Sequence, residues 1–340
     1  MSKKRILLTH PLYHLASGRY ADKFELKTLD LNAFQTSENP QQYLLNEVNE
    51  FKPHALYFIG FMMKFTHAKN TPKPIVNDHF FNNLVYKDLK LISNNGAGYD
   101  QVDARAAKKH SVIVTNTPDV VSDCTADLTL HLILSCARRS TEFEQRLRNG
   151  EWQGSKAIFG IDLKNKVLGI VGMGSIGKEV AKRALPFGMK IIYHQRSKSK
   201  EFPDDYYRAS LDELLHESDF VSLHVPLNEN TKHLINKNNL CKMKKDSYLI
   251  NTSRGPVVNE SDLVDALKEG KTLSGAGLDV FEFEPNVHKE LLNIPNVTLL
   301  PHIGTQTIDT RRSMEKLCWD NIENVIEEES KGLTVVNEQK

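Results

Sequence analysis

Short apolar runs alternate along this chain with longer stretches whose apolar residues recur at helical spacing. The short runs predict strands at residues 5–9, 55–59, 89–92, 112–115, 166–171, 190–194, 220–224, 248–251, 275–280 and 297–300. The longer stretches predict helices at 44–51, 102–109, 121–148, 175–187, 211–215, 261–269 and 307–329. Strands that alternate with helices are typical of α/β folds with parallel sheets.

Turn and capping residues divide this pattern. Asp103 and Ser261 are suited to cap helices, and the Asn-Gly pair at 149–150 is suited to end the long helix at 121–148. A turn at 116–119 separates two α/β series, with neither a repeat nor a low-complexity linker between them. We therefore expect an α/β protein with two Rossmann-like domains, each with a parallel sheet, and a cleft between them that suits a small molecule.

Charge and hydropathy narrow the class of protein. The 340 residues include 44 basic and 43 acidic side chains, and the net charge of +1 gives no electrostatic reason to expect nucleic acid or an anionic membrane as a partner. No apolar run reaches the ~20 residues of a membrane helix. The apolar run at 6–8 is too short for a signal peptide, so we interpret the basic residues at 3–5 as the solvated flank of the first strand. The four cysteines form no C-x-x-C pair, which fits reduced thiols in a cytoplasmic protein.

Two further features are interpreted as structural. His10 and His14 are four residues apart, but Pro11 lies between them and no glutamate accompanies them, so no metal site is expected. Trp152 is interpreted as a packing residue.

A glycine-rich motif joins the predicted strand at 166–171 to the helix at 175–187. The strand–turn–helix context matches the G-x-G-x-x-G pattern of dinucleotide-binding proteins, at Gly172, Met173, Gly174, Ser175, Ile176 and Gly177. The first glycine permits the tight turn, the second the approach of a pyrophosphate to backbone amides, and the third close packing of the helix. Free N–H groups at the helix N-terminus would bind the phosphates. A glycine-rich turn without a ligand is the alternative.

The end of the next strand indicates which dinucleotide is preferred. NAD-binding domains tend to place a carboxylate there, about 20 residues after the glycines, to bind the ribose 2′-hydroxyl. Here Gln195, Arg196 and Ser197 occupy this position, and Lys198 and Lys200 follow. Because a guanidinium binds a 2′-phosphate that a carboxylate would repel, we expect NADP(H) as the preferred cofactor. A solvated basic loop on an NAD(H) enzyme is the alternative.

Polar residues also follow three later strands, in the segments 251–255, 277–285 and 301–304. The carboxyl ends of parallel strands are where open α/β sheets bind ligands. Together with the phosphate loop and the segment 91–100, these motifs resemble the D-isomer-specific 2-hydroxyacid dehydrogenases, in particular their glyoxylate/hydroxypyruvate reductase branch of fungal type. The resemblance extends over most of the chain, with the motifs in the family's order.

The resemblance implies a catalytic set of Arg254, Glu284 and His302. An arginine can bind the carboxylate and the carbonyl oxygen of a 2-keto acid together. A histidine can donate a proton near neutral pH as hydride reaches the carbonyl carbon. A carboxylate at its far nitrogen favours the protonated ring and fixes its tautomer. In the family this carboxylate directly precedes the proline that is Pro285 here, so Glu282 is interpreted as solvated.

The resemblance also implies further contacts. Those with the cofactor are Pro226 and Thr231 on the adenosine side, and Thr252, Asp279 and Gly304. For Asp279, a contact near the nicotinamide and a structural turn both remain open. Asn95, Gly96, Ala97 and Gly98 match the family's substrate loop, in which backbone amides would bind the carboxylate from the side opposite Arg254. A tight strand–helix turn is the alternative for this loop.

One segment departs from the family. Phe61, Met62 and Met63 lie in a region that borders the substrate pocket, where small or polar residues are common. These side chains either admit larger 2-keto acids or pack into the core. Both glyoxylate-like and bulkier substrates therefore remain candidates.

These features predict an NADPH-preferring reductase that converts small 2-keto acids to D-2-hydroxy acids. The predicted substrate domain comprises residues 1–116 and 303–340, and the dinucleotide-binding domain 117–302. The resemblance implies a homodimer supported by the helix region 121–148. The alternatives are another dehydrogenase of the family, acting on formate, phosphoglycerate or bulkier acids, and a nucleotide-sensing scaffold like the related transcriptional corepressors. Formate enzymes pair the histidine with glutamine, so Glu284 disfavours them.

Overall fold

The chain divides into two compact units in a computed structural model that describes residues 3–13, 17–60, 74–152, 158–327 and 332–340. The first unit comprises Met1–Val121 and Gln306–Lys340, and the second comprises Ser122–Thr305. Each unit contains one parallel sheet and its helices.

The strands lie within two residues of the predicted positions, apart from one that the pattern does not predict. In chain order they are β1 Lys4–Leu8, β2 Phe24–Thr28, β3 Ala55–Phe58, β4 Leu91–Asn94, β5 Ile113–Thr115, β6 Val167–Val171, β7 Lys190–His194, β8 Phe220–Leu223, β9 Ser247–Asn251, β10 Leu273–Leu278 and β11 Val297–Leu299. The unpredicted strand is β2, of which only Phe24 is buried. It pairs at the edge of its sheet, where a strand needs no apolar pattern.

The helices follow the strands along the chain. They are α1 Ser17–Lys23, α2 Leu31–Thr36, α3 Pro40–Phe51, α4 Asp78–Asn82, α5 Ala104–Lys109, α6 Ser122–Arg138, α7 Ser140–Arg148, α8 Ser175–Ala184, α9 Leu211–Glu217, α10 Lys237–Leu240, α11 Glu260–Glu269 and α12 Ile308–Ile326. Single 3₁₀ turns lie at Leu185–Phe187, Asp204–Tyr206, Gly255–Val257, Leu291–Asn293 and Asn337–Gln339.

The sheet of the first unit has the order β2-β1-β3-β4-β5 among the described residues, and all its pairs are parallel. Its strands β3 and β4 are buried along their whole length, as expected when helices cover both faces. On one face, fully buried Trp319 of α12 stacks on Tyr20 with ring centroids 4.0 Å apart. Tyr20 belongs to α1, and the Trp319 ring also stacks on Phe24 of β2 (6.1 Å) and Tyr57 of β3 (6.3 Å), so these contacts anchor the C-terminal helix to both α1 and the sheet.

The sheet of the second unit has the order β11-β10-β9-β8-β6-β7 among the described residues, again with parallel pairs throughout. The strand order reverses at β6, because the next strand along the chain, β7, pairs on one side of β6 and the strand after it, β8, pairs on the other side. Such a reversal opens a crevice at the carboxyl ends of the strands, where doubly wound folds bind ligands. The glycine-rich loop follows β6 at this point.

Three local predictions about helices and packing are wrong. The long helix predicted at 121–148 is two helices, because Arg139 adopts a left-handed conformation (φ 52°) between α6 and α7. Asn259, not Ser261, caps α11, and its side chain accepts a hydrogen bond from the N–H of Asp262. Trp152 is 82% exposed rather than packed. The cap on Asp103 is confirmed, since its carboxylate accepts hydrogen bonds from two N–H groups at the start of α5.

Two other features of the described ranges bear on function. No helix there combines the length and the apolarity that crossing a membrane requires. No cluster of three or more His, Cys, Asp or Glu side chains in those ranges is arranged to hold a metal ion. His14 and the Phe61–Met63 segment lie outside the described residues.

Candidate active site

The glycine-rich loop lies between β6 and α8. Gly172 has φ +98°, which a residue with a side chain rarely adopts, and its N–H donates to the carbonyl of His194. A Cβ on Gly177 would lie 2.2 Å from the carbonyl oxygen of Gly172, so only glycine permits this closeness of helix and loop. Gly174 caps α8 and has open space on its Cβ side. The loop thus leaves open space beside Gly174, at the N-terminus of a ten-residue helix.

Gln195, directly after β7, is tied to this loop. Its Oε1 accepts a hydrogen bond from the N–H of Met173 (3.2 Å), and its Nε2 donates to the carbonyl of Ser197 (2.7 Å). A neutral amide therefore occupies the strand end at which NAD-binding domains tend to place a carboxylate. Arg196 and Ser197 are exposed. Lys198 pairs with Asp204 at 3.0 Å and lies 5.7 Å from the centre of the Tyr207 ring.

Glu284 and His302 lie side by side. Nδ1 of His302 is 2.9 Å from Oε2 and 3.2 Å from Oε1 of Glu284. Oε1 also accepts a hydrogen bond from the N–H of Phe281 (3.0 Å), which fixes the carboxylate on its own turn. Both side chains are less than one-fifth exposed. Because Nδ1 faces the carboxylate, proton exchange with a ligand would fall to Nε2.

The backbone of His302 has an uncommon conformation. Its φ is +57°, in the left-handed region that few residues other than glycine adopt. The N–H of His302 donates to the carbonyl of Asp279 (2.8 Å), which holds the chain in this turn. Such strain is concentrated at functional sites, where the surrounding structure imposes it.

Asp279 supports this turn with its side chain. The carboxylate is buried and accepts hydrogen bonds from the N–H groups of Ile303 (2.7 Å) and Gly304 (2.8 Å). Burial raises the pKa of Asp279 to about 6, although the two N–H donors and His302 act in the opposite direction. With both oxygens engaged, the structural turn is the better supported of the two interpretations of Asp279.

Arg254 follows β9 in a turn that Asn251 organises. The side-chain amide of Asn251 donates to the carbonyl of Arg254 (3.0 Å), and its oxygen accepts from the N–H and the hydroxyl of Ser253. Nη1 of Arg254 donates to the carbonyl of Ser253 (2.8 Å). Sequence reasoning missed this role of Asn251. The sequence feature that could have indicated this role is an asparagine two residues before a serine at a strand end, which is typical of an Asx turn.

The remaining predicted contacts of the second unit also have internal partners. The hydroxyl of Thr231 donates to the carbonyl of Pro226 (2.6 Å) and accepts from the N–H of Asn228, which closes the loop after β8. The hydroxyl of Thr252 lies 2.9 Å from that of Thr129 on α6. The carbonyl of Gly304 accepts from Thr125, also on α6. These bonds hold the strand ends in place.

Glu282 is not solvated, so that prediction is wrong. Its side chain is 12% exposed, and Oε1 lies 2.6 Å from Nε2 of His233. Oε2 accepts a hydrogen bond from the N–H of Glu260 (3.1 Å). Glu282 and Glu284 therefore each bind a different histidine.

The predicted substrate loop lies in the first unit, directly after β4. The N–H of Asn95 donates to the carbonyl of Phe58, and that of Gly96 donates to the carbonyl of Asn94. The side-chain amide of Asn95 is buried and donates to the hydroxyl of Tyr57 (2.5 Å). Among the described residues, no hydrogen bond engages the N–H groups of Ala97 and Gly98. The amides suited to bind an anion are therefore those of Ala97 and Gly98.

The second unit matches a known protein family. Residues 130–304 match the model of the D-isomer specific 2-hydroxyacid dehydrogenase, NAD binding domain. The chain belongs to the D-isomer specific 2-hydroxyacid dehydrogenase family. The family predicted from the motifs is thereby confirmed. The predicted α/β fold with two parallel-sheet domains is confirmed by the two sheets and by the related structures.

Relatives within this family align along most of the chain. A 4-methyl-2-oxopentanoate reductase A of Aspergillus oryzae is 46% identical over 255 residues, which are 75% of this chain and 77% of that protein. The structure of a glyoxylate reductase from Paecilomyes thermophila has a TM-score of 0.85 and 36% identity, and all of both chains is covered. An NADPH-dependent glyoxylate/hydroxypyruvate reductase from Sinorhizobium meliloti, solved with NADP and malonate, has a TM-score of 0.83 and 31% identity over 99% of this chain and 98% of that one.

The raised pKa of Asp279 predicts a pH-dependent contribution to stability. Ionisation of this buried carboxyl costs more in the folded protein than in the unfolded chain, where its pKa has the usual value of 3.8. Relative to Asp279→Asn, the wild-type free energy of unfolding should therefore fall by roughly 2–3 kcal/mol as the pH rises from about 4 through about 6. Chemical denaturation across this pH range measures the difference. Asp265→Asn, which removes an exposed carboxylate from α11, is the control. If the stability of the wild type relative to Asp279→Asn rose with pH, the raised pKa of Asp279 would be contradicted.

Proposed function

We propose that this protein is an oxidoreductase that reduces small 2-keto acids to D-2-hydroxy acids with NADPH. The observation that carries the proposal is the contact between Glu284 and His302 at the carboxyl ends of parallel strands. Family membership supports the same chemistry, and the D-configuration of the product follows from the family.

In this proposal the three catalytic residues have separate tasks. Arg254 binds the carboxylate of the 2-keto acid and polarises its carbonyl oxygen. His302 donates a proton from Nε2 to that oxygen, while Glu284 accepts the hydrogen bond from Nδ1 and so keeps the ring in one orientation. The amides of Ala97 and Gly98, in the first unit, are suited to bind a carboxylate.

The cofactor would lie on the glycine-rich loop of the second unit. The N-terminus of α8 and the open space beside Gly174 suit the pyrophosphate. When bound, the nicotinamide supplies the hydride. The exposed guanidinium of Arg196 and the hydroxyl of Ser197 bind the 2′-phosphate, and Gln195 positions both through its bond to Met173. The remaining proposed contacts are Pro226, Thr231, Thr252 and Gly304.

The substrate is a small 2-keto acid of the glyoxylate or hydroxypyruvate kind. The names of the Paecilomyes and Sinorhizobium relatives support this choice. The Aspergillus relative favours a second candidate, the branched acid 4-methyl-2-oxopentanoate. We also propose a cytoplasmic location, which the four free cysteines support.

A keto-acid panel tests the activity. Wild-type protein should consume NADPH with glyoxylate, hydroxypyruvate or 4-methyl-2-oxopentanoate, and His302→Gln should lower kcat by a factor of about 10²–10⁴ because the proton donor is lost. The dissociation constant of NADPH should change less than about twofold, since the variant removes a group that acts on the substrate. Absorbance and calorimetry measure the two quantities. His216→Gln, an exposed histidine on α9, is the control. Binding of NADPH without turnover on any acid would indicate a nucleotide-sensing scaffold instead.

The cofactor preference is tested at the end of β7. Arg196→Ala should reduce the ratio of kcat/KM for NADPH to that for NADH by about tenfold or more, because one charge-assisted pair with the 2′-phosphate is lost. Lys190→Ala is the matched control, since it removes a positive charge from the opposite end of the same strand. An unchanged ratio in Arg196→Ala would show that the basic loop is only solvated.

A homodimer is the proposed assembly. Phe143 and Leu147 are exposed on one face of α7, one helical turn apart, and the exposed aromatic residues Trp152 and Phe159 follow it. Exposed apolar side chains on adjacent turns of one helix are typical of a protein–protein interface. Leu147→Glu should shift the mass measured by light scattering from dimer towards monomer, whereas Val85→Glu, at an exposed apolar residue of the first unit, should not. A monomeric wild-type mass would contradict the proposal.

A further inference from the structure

A second histidine–carboxylate pair lies next to the Glu284–His302 pair. Glu282 precedes Glu284 by two residues, and its Oε1 is 2.6 Å from Nε2 of His233. The family's catalytic set does not use this pair. Glu282 is nevertheless largely buried, with 12% of its side chain exposed, and His233 is partly buried, with 35% exposed. A buried carboxylate must be stabilised by its contacts, and those of Glu282 extend to two other segments.

The first contact is a reciprocal pair of hydrogen bonds with α11. The N–H of Glu260, the first residue of α11, donates to Oε2 of Glu282 (3.1 Å). The N–H of Glu282 donates in turn to Oε1 of Glu260 (2.5 Å). Glu260 is buried, which raises the pKa of its carboxyl group. The positive end of the α11 dipole favours a carboxylate at this position. The turn that carries Glu284 is thereby fastened to the helix N-terminus.

The second contact connects His233, the partner of Glu282, to the segment that contains Arg254. The N–H of His233 donates to the carbonyl of Pro256 (2.8 Å), two residues after Arg254. The backbone of Gly255 lies directly against that of Phe281, and a Cβ on Gly255 would lie 1.9 Å from the carbonyl oxygen of Phe281. Glu282 therefore lies at the junction of the Arg254 segment and the Glu284 turn.

The bonds continue to the catalytic histidine. The N–H of Phe281, the neighbour of Glu282, donates to Oε1 of Glu284 (3.0 Å), and Glu284 binds Nδ1 of His302. A displacement of the Glu282 backbone would therefore move the donor that orients Glu284. It would also move the surface against which Gly255 packs.

We propose that Glu282 is a positioning residue that fixes the separation of Arg254 and Glu284, and through Glu284 the orientation of the His302 ring. His233 and Glu260 hold the Glu282 carboxylate for this purpose. The proposal rests on the proposed function only for its effect on turnover, because the orientation of His302 can be measured without substrate.

Two variants of Glu282 separate positioning from packing. Glu282→Ala removes both hydrogen bonds of the carboxylate. Glu282→Gln retains an oxygen that can accept from Glu260 and an amide that can donate to a neutral His233. The control is Glu213→Ala, which removes the carboxylate of a capping box at the N-terminus of α9 in the same unit. That carboxylate makes the same type of bond, to the backbone N–H of Ser210, away from the Arg254 and Glu284 segments.

The first measurement is the nuclear magnetic resonance signal of the His302 Nδ1 proton and its nitrogen in the cofactor-free protein. In the wild type the bond to Glu284 should give a distinct downfield proton signal. Glu282→Ala should shift or abolish this signal, while Glu282→Gln and Glu213→Ala should preserve it. An unchanged signal in folded Glu282→Ala overturns the proposal.

The second measurement is steady-state kinetics with the best keto acid of the panel. Glu282→Ala should lower kcat by about 10–100-fold, since small displacements of reacting groups have effects of this size. The KM for NADPH should change less than about twofold, and Glu282→Gln should recover most of the kcat. Equal losses of kcat in the Ala and Gln variants would overturn the proposal, because they would point to charge rather than position.

The variant His233→Gln covers the case in which Glu282→Ala does not fold. It removes the more exposed partner and should lower kcat in the same direction but by a smaller factor, with the His302 signal shifted. No change in either quantity contradicts the proposal. If wild-type protein reduces no keto acid, the proposed function fails, and the His302 signal alone decides whether Glu282 positions the ring.

Discussion

Asp279 joins three neighbouring strand ends through its backbone and its carboxylate. Its N–H donates to the carbonyl of Asn251 at the end of β9, while its carbonyl and carboxylate accept from the segment of residues 302–304 after β11. Four hydrogen bonds from one buried residue therefore set the relative positions of the segments that carry Arg254 and His302. The left-handed backbone of His302 depends on them, because an isolated histidine would favour another conformation.

The same region concentrates acidic side chains, and three of them bind donors of different kinds. Asp279 binds backbone N–H groups, Glu284 binds His302, and Glu282 binds His233 and the start of α11. Buried carboxylates repel one another and lose hydration, so such a cluster is stable only when every member has donors. The cost is visible in the raised pKa of Asp279 and of Glu260. These hydrogen bonds fix the orientation of the carboxylates, as a site that orients a small acid requires.

At the other end of the site, the chain uses a neutral residue where related folds use a charged one. The amide of Gln195 accepts a hydrogen bond from the glycine-rich loop and donates one to the following turn. It therefore supports the loop without adding a negative charge near Arg196. This absence of repulsion is what an additional phosphate on the ribose would need.

The sequence by itself determined the fold class, the family and the glycine-rich loop. Apolar runs of strand length and a glycine pattern are local properties, and they arise from burial and backbone conformation that a few neighbouring residues specify. It also paired Glu284 with His302, but only through the resemblance, because the two residues are 18 positions apart.

Only the tertiary structure decided which carboxylates are buried and what they bind. Glu282 looks solvated in a sequence of alternating acidic and aromatic residues, and its partners His233 and Glu260 lie 49 and 22 positions away. The role of Asp279 and the edge strand β2 likewise depend on distant segments, and the break at Arg139 divides a stretch with continuous helical spacing. Hydrogen bonds between distant segments leave no periodic trace in the chain, whereas the hydrophobic effect does.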